Sequence, residues 1–238
     1  MKWECVSSRY LVCGGLAAVF ALVGGCGASV DAAAKSDVDR QVAAIKNRDQ
    51  VYQAPTSDEP KPLAVGQWAR YRTRDEDGKP GIVTYKIVGE EQGALWYEAE
   101  QQSYHGEQVT LILVKIGDRT DPASFDVLNF KVKSDGRVQE YPPELVGMMK
   151  AMWKPVLDNL VIRWQGLPQE DATVPAGRFT SCYRRKSTVS FAGMSRTSDT
   201  WAHPDVPLSG AVKSVGVDKP FSMELIAFGE TGAHSALR

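Results

Sequence analysis

Alternation of apolar and polar positions dominates the chain from residue 66 onward, in short runs separated by turn residues. That is the pattern of half-buried antiparallel strands. Residues 66–74 carry Trp68, Ala69 and Tyr71 among polar neighbours, and Asp75-Glu76-Asp77-Gly78 then turns the chain. Residues 82–88, 95–100 and 109–116 continue the series across turns at 89–93 and around His105-Gly106. Residues 125–133 and 137–141 flank Ser134-Asp135-Gly136 and read as a further hairpin. Strands are predicted again at 172–174, 177–189, 196–202 and 221–228. Pro204, Pro207 and Gly210 break that last series, and one helical turn is expected within 209–215.

Between the two runs of strands the periodicity changes. Pro143 suits the first turn of a helix and Glu144 its positive end. Leu145, Val146, Met148, Met149, Met152 and Trp153 are apolar around more than one face, and Pro155 should end that helix near Lys154. A second short helix with Val156, Leu157, Leu160 and Val161 is expected to stop before Gly166. Strands, then helices, then strands imply an α+β fold. The expected form is a curved antiparallel sheet, a meander or an open half-barrel, packed against one or two central helices.

The N-terminus follows a third pattern. Basic Lys2 and Arg9 precede an apolar stretch through residues 11–23, which closes on Gly24-Gly25-Cys26. A charged start, an apolar core and a small-residue cleavage site describe a secretory signal. The stretch is shorter and richer in glycine than the roughly 20 apolar residues a membrane-spanning helix needs. Val23-Gly24-Gly25-Cys26 resembles the lipobox of bacterial lipoproteins. In that family the cysteine is acylated and becomes the mature N-terminus, so the resemblance implies a lipid anchor on Cys26. Valine and glycine stand where the family prefers leucine and then alanine or serine, and ordinary cleavage by a general signal peptidase is the alternative. Gly27 occupies the place where lipoproteins kept in the inner membrane usually carry aspartate. The resemblance therefore implies the outer membrane, facing the periplasm.

Beyond the cysteine, Ser36 with Asp39 reads as the cap of a short helix bearing Val38, Val42 and Ile45. Pro55, Pro60 and Pro62 among polar residues have linker composition. The expected organisation is a signal peptide at 1–25, a lipidated N-terminus and flexible tether at 26–62, and a β-rich α+β domain at 63–238.

Composition narrows the function. Removing residues 1–25 takes Lys2 and Arg9 from the 28 basic side chains and Glu4 from the 29 acidic ones, leaving 26 and 28, a net charge near −2. No basic excess exists to neutralise phosphates, so nucleic-acid binding has no electrostatic support. Cys5 and Cys13 leave with the signal and Cys26 would be lipidated, so Cys182 alone remains and no intrachain disulfide is expected. Cys182 lies in an alternating run and reads as a small buried hydrophobe.

Chemical motifs are sparse. The three histidines, His105, His203 and His234, show no zinc-ligand spacing, and neither a nucleophile elbow nor a phosphate-cradling glycine loop occurs. His203-Pro204-Asp205 reads as a turn in preference to a base with its orienting carboxylate. Glu90-Glu91, Glu170-Asp171 and Asp75-Glu76-Asp77 fall in predicted turns. Calcium at Asp75, Asp77 and the Gly78 carbonyl lacks the later glutamate of an EF-hand. No cofactor and no metal are expected.

The apolar helical segment is the remaining candidate. Met148, Met149, Met152, Trp153 and Leu157 would line an apolar site, methionine being adaptable to irregular ligands. Helices covering the concave face of a curved sheet resemble the periplasmic lipoprotein carriers of the Lol type, over roughly residues 65–230. No residue motif supports that likeness. Segments 174–179, 201–208 and 224–229 also resemble uncharacterised secreted or lipid-anchored bacterial proteins. The expected function is a non-enzymatic binding module for an apolar ligand or an envelope protein partner. The alternatives are a structural subunit of an envelope assembly, or a hydrolase using His203, Asp205 or Cys182.

Overall fold

A computed structural model describes residues 30–134, 136–142, 144, 146–147, 160–191 and 194–237. The described residues form twelve strands in one sheet. They are β1 (Val51–Tyr52), β2 (Trp68–Arg74), β3 (Pro80–Glu91), β4 (Ala94–Ser103), β5 (Gly106–Ile116), β6 (Phe125–Ser134) and β7 (Arg137–Glu140), followed by β8 (Gln169–Val174), β9 (Gly177–Phe191), β10 (Met194–Ala202), β11 (Ala211–Gly216) and β12 (Ser222–Gly229). The order across the sheet is β1-β9-β10-β11-β12-β2-β3-β4-β5-β6-β7, with β8 on the other side of β9. Two antiparallel meanders thus meet where β12 pairs with β2, and the short β1 alone runs parallel to its neighbour β9.

The alternating runs give these strands for a simple reason. In β3, Val83, Tyr85 and Ile87 enter the core while Ile82, Thr84 and Lys86 face the other way, because successive side chains point to opposite faces. Register shifts between Ile87 and Gly89, Leu113 and Val114, and Leu225 and Ala227 bend the strands. The two meanders consequently share one core: Tyr71, Tyr85, Tyr97, Ile112 and Phe130 from one, Phe179, Met223 and Leu225 from the other. Tyr85 stacks on Tyr97 with ring centroids 5.9 Å apart, and the Tyr71 hydroxyl donates to the Ala211 carbonyl at 3.0 Å.

The expected α+β arrangement does not hold. Among the described residues the protein is mainly β, one large twelve-stranded sheet in place of a sheet packed on one or two central helices. What covers the core face among the described residues is irregular chain and a hairpin. Val206 and Leu208 from the β10–β11 connection, Leu160, and Ala172 and Val174 of β8 complete the same apolar cluster. A sheet that curves over its own loops buries much of its inner face against irregular chain. Val146 belongs to this core, but Met148, Met149, Met152, Trp153 and Leu157 lie outside the described residues. The helical turn expected within 209–215 is strand β11.

Arg119 locks the loops together. Its guanidinium is largely buried with backbone carbonyls as its partners: Lys61 at 2.5 Å, Leu160 at 3.4 Å, and Leu208. Burial lowers its pKa to about 10.

The helix α1 (Ala32–Ala43) sits on the opposite, outward face, against β3, β4 and β5. Its cap is Asp31, whose carboxylate accepts from the Ala33 and Ala34 amides at 2.8 Å, so Ser36 falls inside the helix and not at its start. Val38 is fully buried beneath it. Asp39 fastens the helix to the β4–β5 turn, accepting from the Tyr104 hydroxyl at 2.6 Å and pairing with Lys35 at 2.5 Å.

Candidate ligand cleft

The outward face does not close under the C-terminal end of α1. Gln41, Ala44, Ile45, Lys46, Arg48, Arg70, Ile82, Ile226 and Ala227 line a cleft of about 450 Å³ there, within the size range of small-molecule sites. Each wall has a local cause. Arg70 and Ile82 are the outward positions of β2 and β3. Ile226 is the unpaired residue of the bulge in β12, which places two consecutive apolar side chains, Ile226 and Ala227, along one wall. Residues 44–48 leave the helix and are held over the cleft because the Arg48 amide donates to the Pro175 carbonyl at 2.9 Å.

The lining divides by chemistry. Ala44, Ile45, Ile82, Ile226 and Ala227 are apolar, Lys46, Arg48 and Arg70 are cationic, and no carboxylate lines the space. Arg70 Nη2 donates to Gln41 Oε1 at 2.6 Å, and Gln41 Nε2 donates in turn to Asp37 Oδ2 at 2.7 Å. The Arg70 Nε is buried without a partner among the described residues. The carboxylate of Asp37 is already engaged with Arg40 as well. The negative end of the α1 dipole also points here, but half a charge is outweighed by three full ones.

A second polar device lies farther along the same face. Lys86 Nζ bridges Glu98 at 2.8 Å and Glu100 at 2.6 Å, and the C-terminal segment crosses over them. Ser235 Oγ and the Ala236 amide both donate to Glu98, which is fully buried. Burial depresses the Lys86 pKa, but the hydrogen bonds that its ammonium donates to Glu100 and Glu98 outweigh it and leave the net shift upward.

The residues singled out for chemistry are elsewhere. His203 is fully buried, its Nε2 2.9 Å from the Gln53 carbonyl and its Nδ1 accepting from the Asp205 amide at 3.2 Å. Those partners fit the neutral ring with its proton on Nε2, and desolvation lowers its pKa. The Asp205 carboxylate is 3.7 Å from Nδ1 and half exposed. Cys182 is fully buried with its thiol directed at the Phe179 carbonyl, and burial pushes its pKa up to about 12. A hydrolytic site needs these groups to be mutually bonded and open to substrate, and here backbone groups hold His203 and Cys182 in the closed core.

The acidic groups are structural, and Glu90-Glu91 and Glu170-Asp171 lie in strands β3 and β8 in place of the expected turns. Asp75 Oδ1 accepts from the Asp77 and Lys79 amides at 3.0 and 2.8 Å, and Asp77 pairs with the Lys79 ammonium. Glu170 holds Arg184 and the Trp201 indole, and Asp171 holds Arg178. Among the described residues no cluster of three metal-ligand side chains occurs, and no helix is long and apolar enough to cross a membrane. Cys26 lies outside the described residues.

No family model and no curated protein matches the chain. Among solved structures it is similar to a Bacteroides fragilis protein described as exported with a YmcC-like fold. The identity is 13%, the match covers 71% of this chain and 98% of that one, and the TM-score is 0.32. A likeness that remote carries neither fold nor function.

Proposed function

We propose that the protein is a lipid-anchored, non-enzymatic binding module of the cell envelope, held on the outer membrane through Cys26 and facing the periplasm. Its ligand site is the cleft between α1 and the sheet. One observation carries the choice of site: a space of about 450 Å³ with an apolar wall stays open on a face that α1 otherwise covers. Apolar surface left open beside a helix is where an apolar ligand gains most by leaving water. The anchor rests on the lipobox-like Val23-Gly24-Gly25-Cys26. Native mass spectrometry of the chain released from membranes tests both parts. The expected result is a covalent acyl mass on Cys26 and a non-covalent adduct that disappears in Ile82→Trp, where an indole fills the cleft. An unmodified Cys26 would remove the anchor, and an adduct that survives Ile82→Trp would remove the site.

A further inference from the structure

We infer that the ligand of this cleft is an anionic single-chain amphiphile, its chain along Ile45, Ile82 and Ile226 and its carboxylate or phosphate head group on Arg70. The inference rests on the cleft being the binding site and adds the charge of what fills it. Three cations line the cleft and no carboxylate lines it with them, whereas several basic side chains elsewhere on the same sheet are matched: Arg72 with Glu224, Lys86 with Glu98 and Glu100, Arg184 with Glu170 and Asp199. A cationic lining beside low-dielectric walls focuses potential onto the space between them and favours an anion there.

Arg70 is the residue that reads the head group. Among the described residues it bonds Gln41 through Nη2, which leaves donors of a planar fork suited to two oxygens of one carboxylate or phosphate. Gln41 fixes the orientation of that fork, because its own amide is anchored on Asp37 through Nε2 and can therefore present only its oxygen to Arg70. Lys46 and Arg48, on the chain leaving α1, close over the same anion as point charges. The apolar wall makes the second demand: a bare anion would leave the half-buried Ile45 and Ile226 in water, and a neutral chain would leave three cations unanswered. An amphiphile with both parts satisfies the whole lining.

The chain itself supplies the readout. It has seven isoleucines, of which Ile45, Ile82 and Ile226 line the cleft while Ile87 and Ile112 are buried in the closed core. The full chain in zwitterionic nanodiscs, labelled at isoleucine δ1 methyls, is titrated with octyl phosphate, octyl glucoside and inorganic phosphate. Octyl phosphate is expected to shift the three cleft methyls and leave Ile87 and Ile112 in place. It should bind at least about tenfold more tightly than octyl glucoside, and hexyl phosphate about tenfold more weakly than octyl, as two methylenes dictate. Arg70→Met should abolish the preference for phosphate, and Arg70→Lys should restore part of it, with Ile87 and Ile112 unmoved as evidence of an intact fold. Equal binding of octyl glucoside would overturn the anionic inference and leave the cleft standing. Equal binding of inorganic phosphate would overturn the amphiphile. Unmoved cleft methyls with every ligand would overturn the cleft reading itself.

Discussion

Strand β3 shows two ways of building around one backbone. On its inner side Val83, Tyr85 and Ile87 enter a core of buried rings and aliphatic chains. On its outer side Ile82, Thr84 and Lys86 lie beneath α1 and the C-terminal segment, where ion pairs and capping bonds do the fastening. The inner side gains from burial, which is non-directional. The outer side depends on a few directional contacts, and between those contacts space and unmatched charge remain. The difference explains where chemistry settled. His203 and Cys182 went to the side that closes, and Arg70 with Ile82 and Ile226 to the side that does not.

Substitutions separate the two sides by size of effect. Phe130→Ala or Tyr97→Ala removes a fully buried ring from the inner side. Each should cost about 3–5 kcal/mol in denaturant unfolding, as large-to-small changes of aromatic residues do. Glu98→Gln on the outer side should cost less, about 2 kcal/mol, because Lys86 keeps Glu100 as a partner. It should also raise amide hydrogen exchange at residues 235–237, where the C-terminal segment loses its acceptor. A loss at Glu98 as large as at Phe130 would erase the distinction.

Titration sharpens it further. His203 has a lowered folded pKa, so the folded state holds fewer protons than the unfolded chain in that range. Its contribution is fully present above the unfolded value of about 6.5 and is lost as pH falls through the depressed folded value. Unfolding free energy should therefore drop below about pH 6.5, with a shallower slope in His203→Gln. Lys86 runs the other way. Its raised pKa gives stability present below about pH 10.4 and lost as pH rises past it, measured on the same curves. Arg70→Met should change stability by no more than about 0.5 kcal/mol, the ordinary range for a partly exposed side chain outside the core. Smallest of all, a thiol reagent at pH 8 should leave Cys182 unlabelled in the folded protein, since thiolate is the reactive form and this thiol is buried and raised to about 12.

Strand positions were legible because period-two alternation is a local signal, and every predicted strand has a counterpart. What was misread depended on context. Strand β11 (Ala211–Gly216) follows Pro207 and Gly210 closely enough to look like turn chemistry, and only pairing with β10 and β12 makes it a strand. Ser36 with Asp39 resembles a cap, yet Asp31 stands one turn earlier and offers its carboxylate to two free amides. The helices expected to cover the core gave a fold class that the sheet overturns, because loops far apart in sequence could not be seen to fill that face. The cleft was illegible for the same reason. Its lining comes from residues 41–48, 70, 82 and 226–227, and one wall exists only because a bulge in β12 breaks the alternation.

The open outer side is the central claim, and contacts to a bound chain test it most directly. Intermolecular nuclear Overhauser effects from the methylenes of octyl phosphate should reach the δ1 methyls of Ile82 and Ile226, and none should reach Ile87 or Ile112. Effects at Ile87 or Ile112 would place the ligand inside the closed core and contradict the division between the two faces.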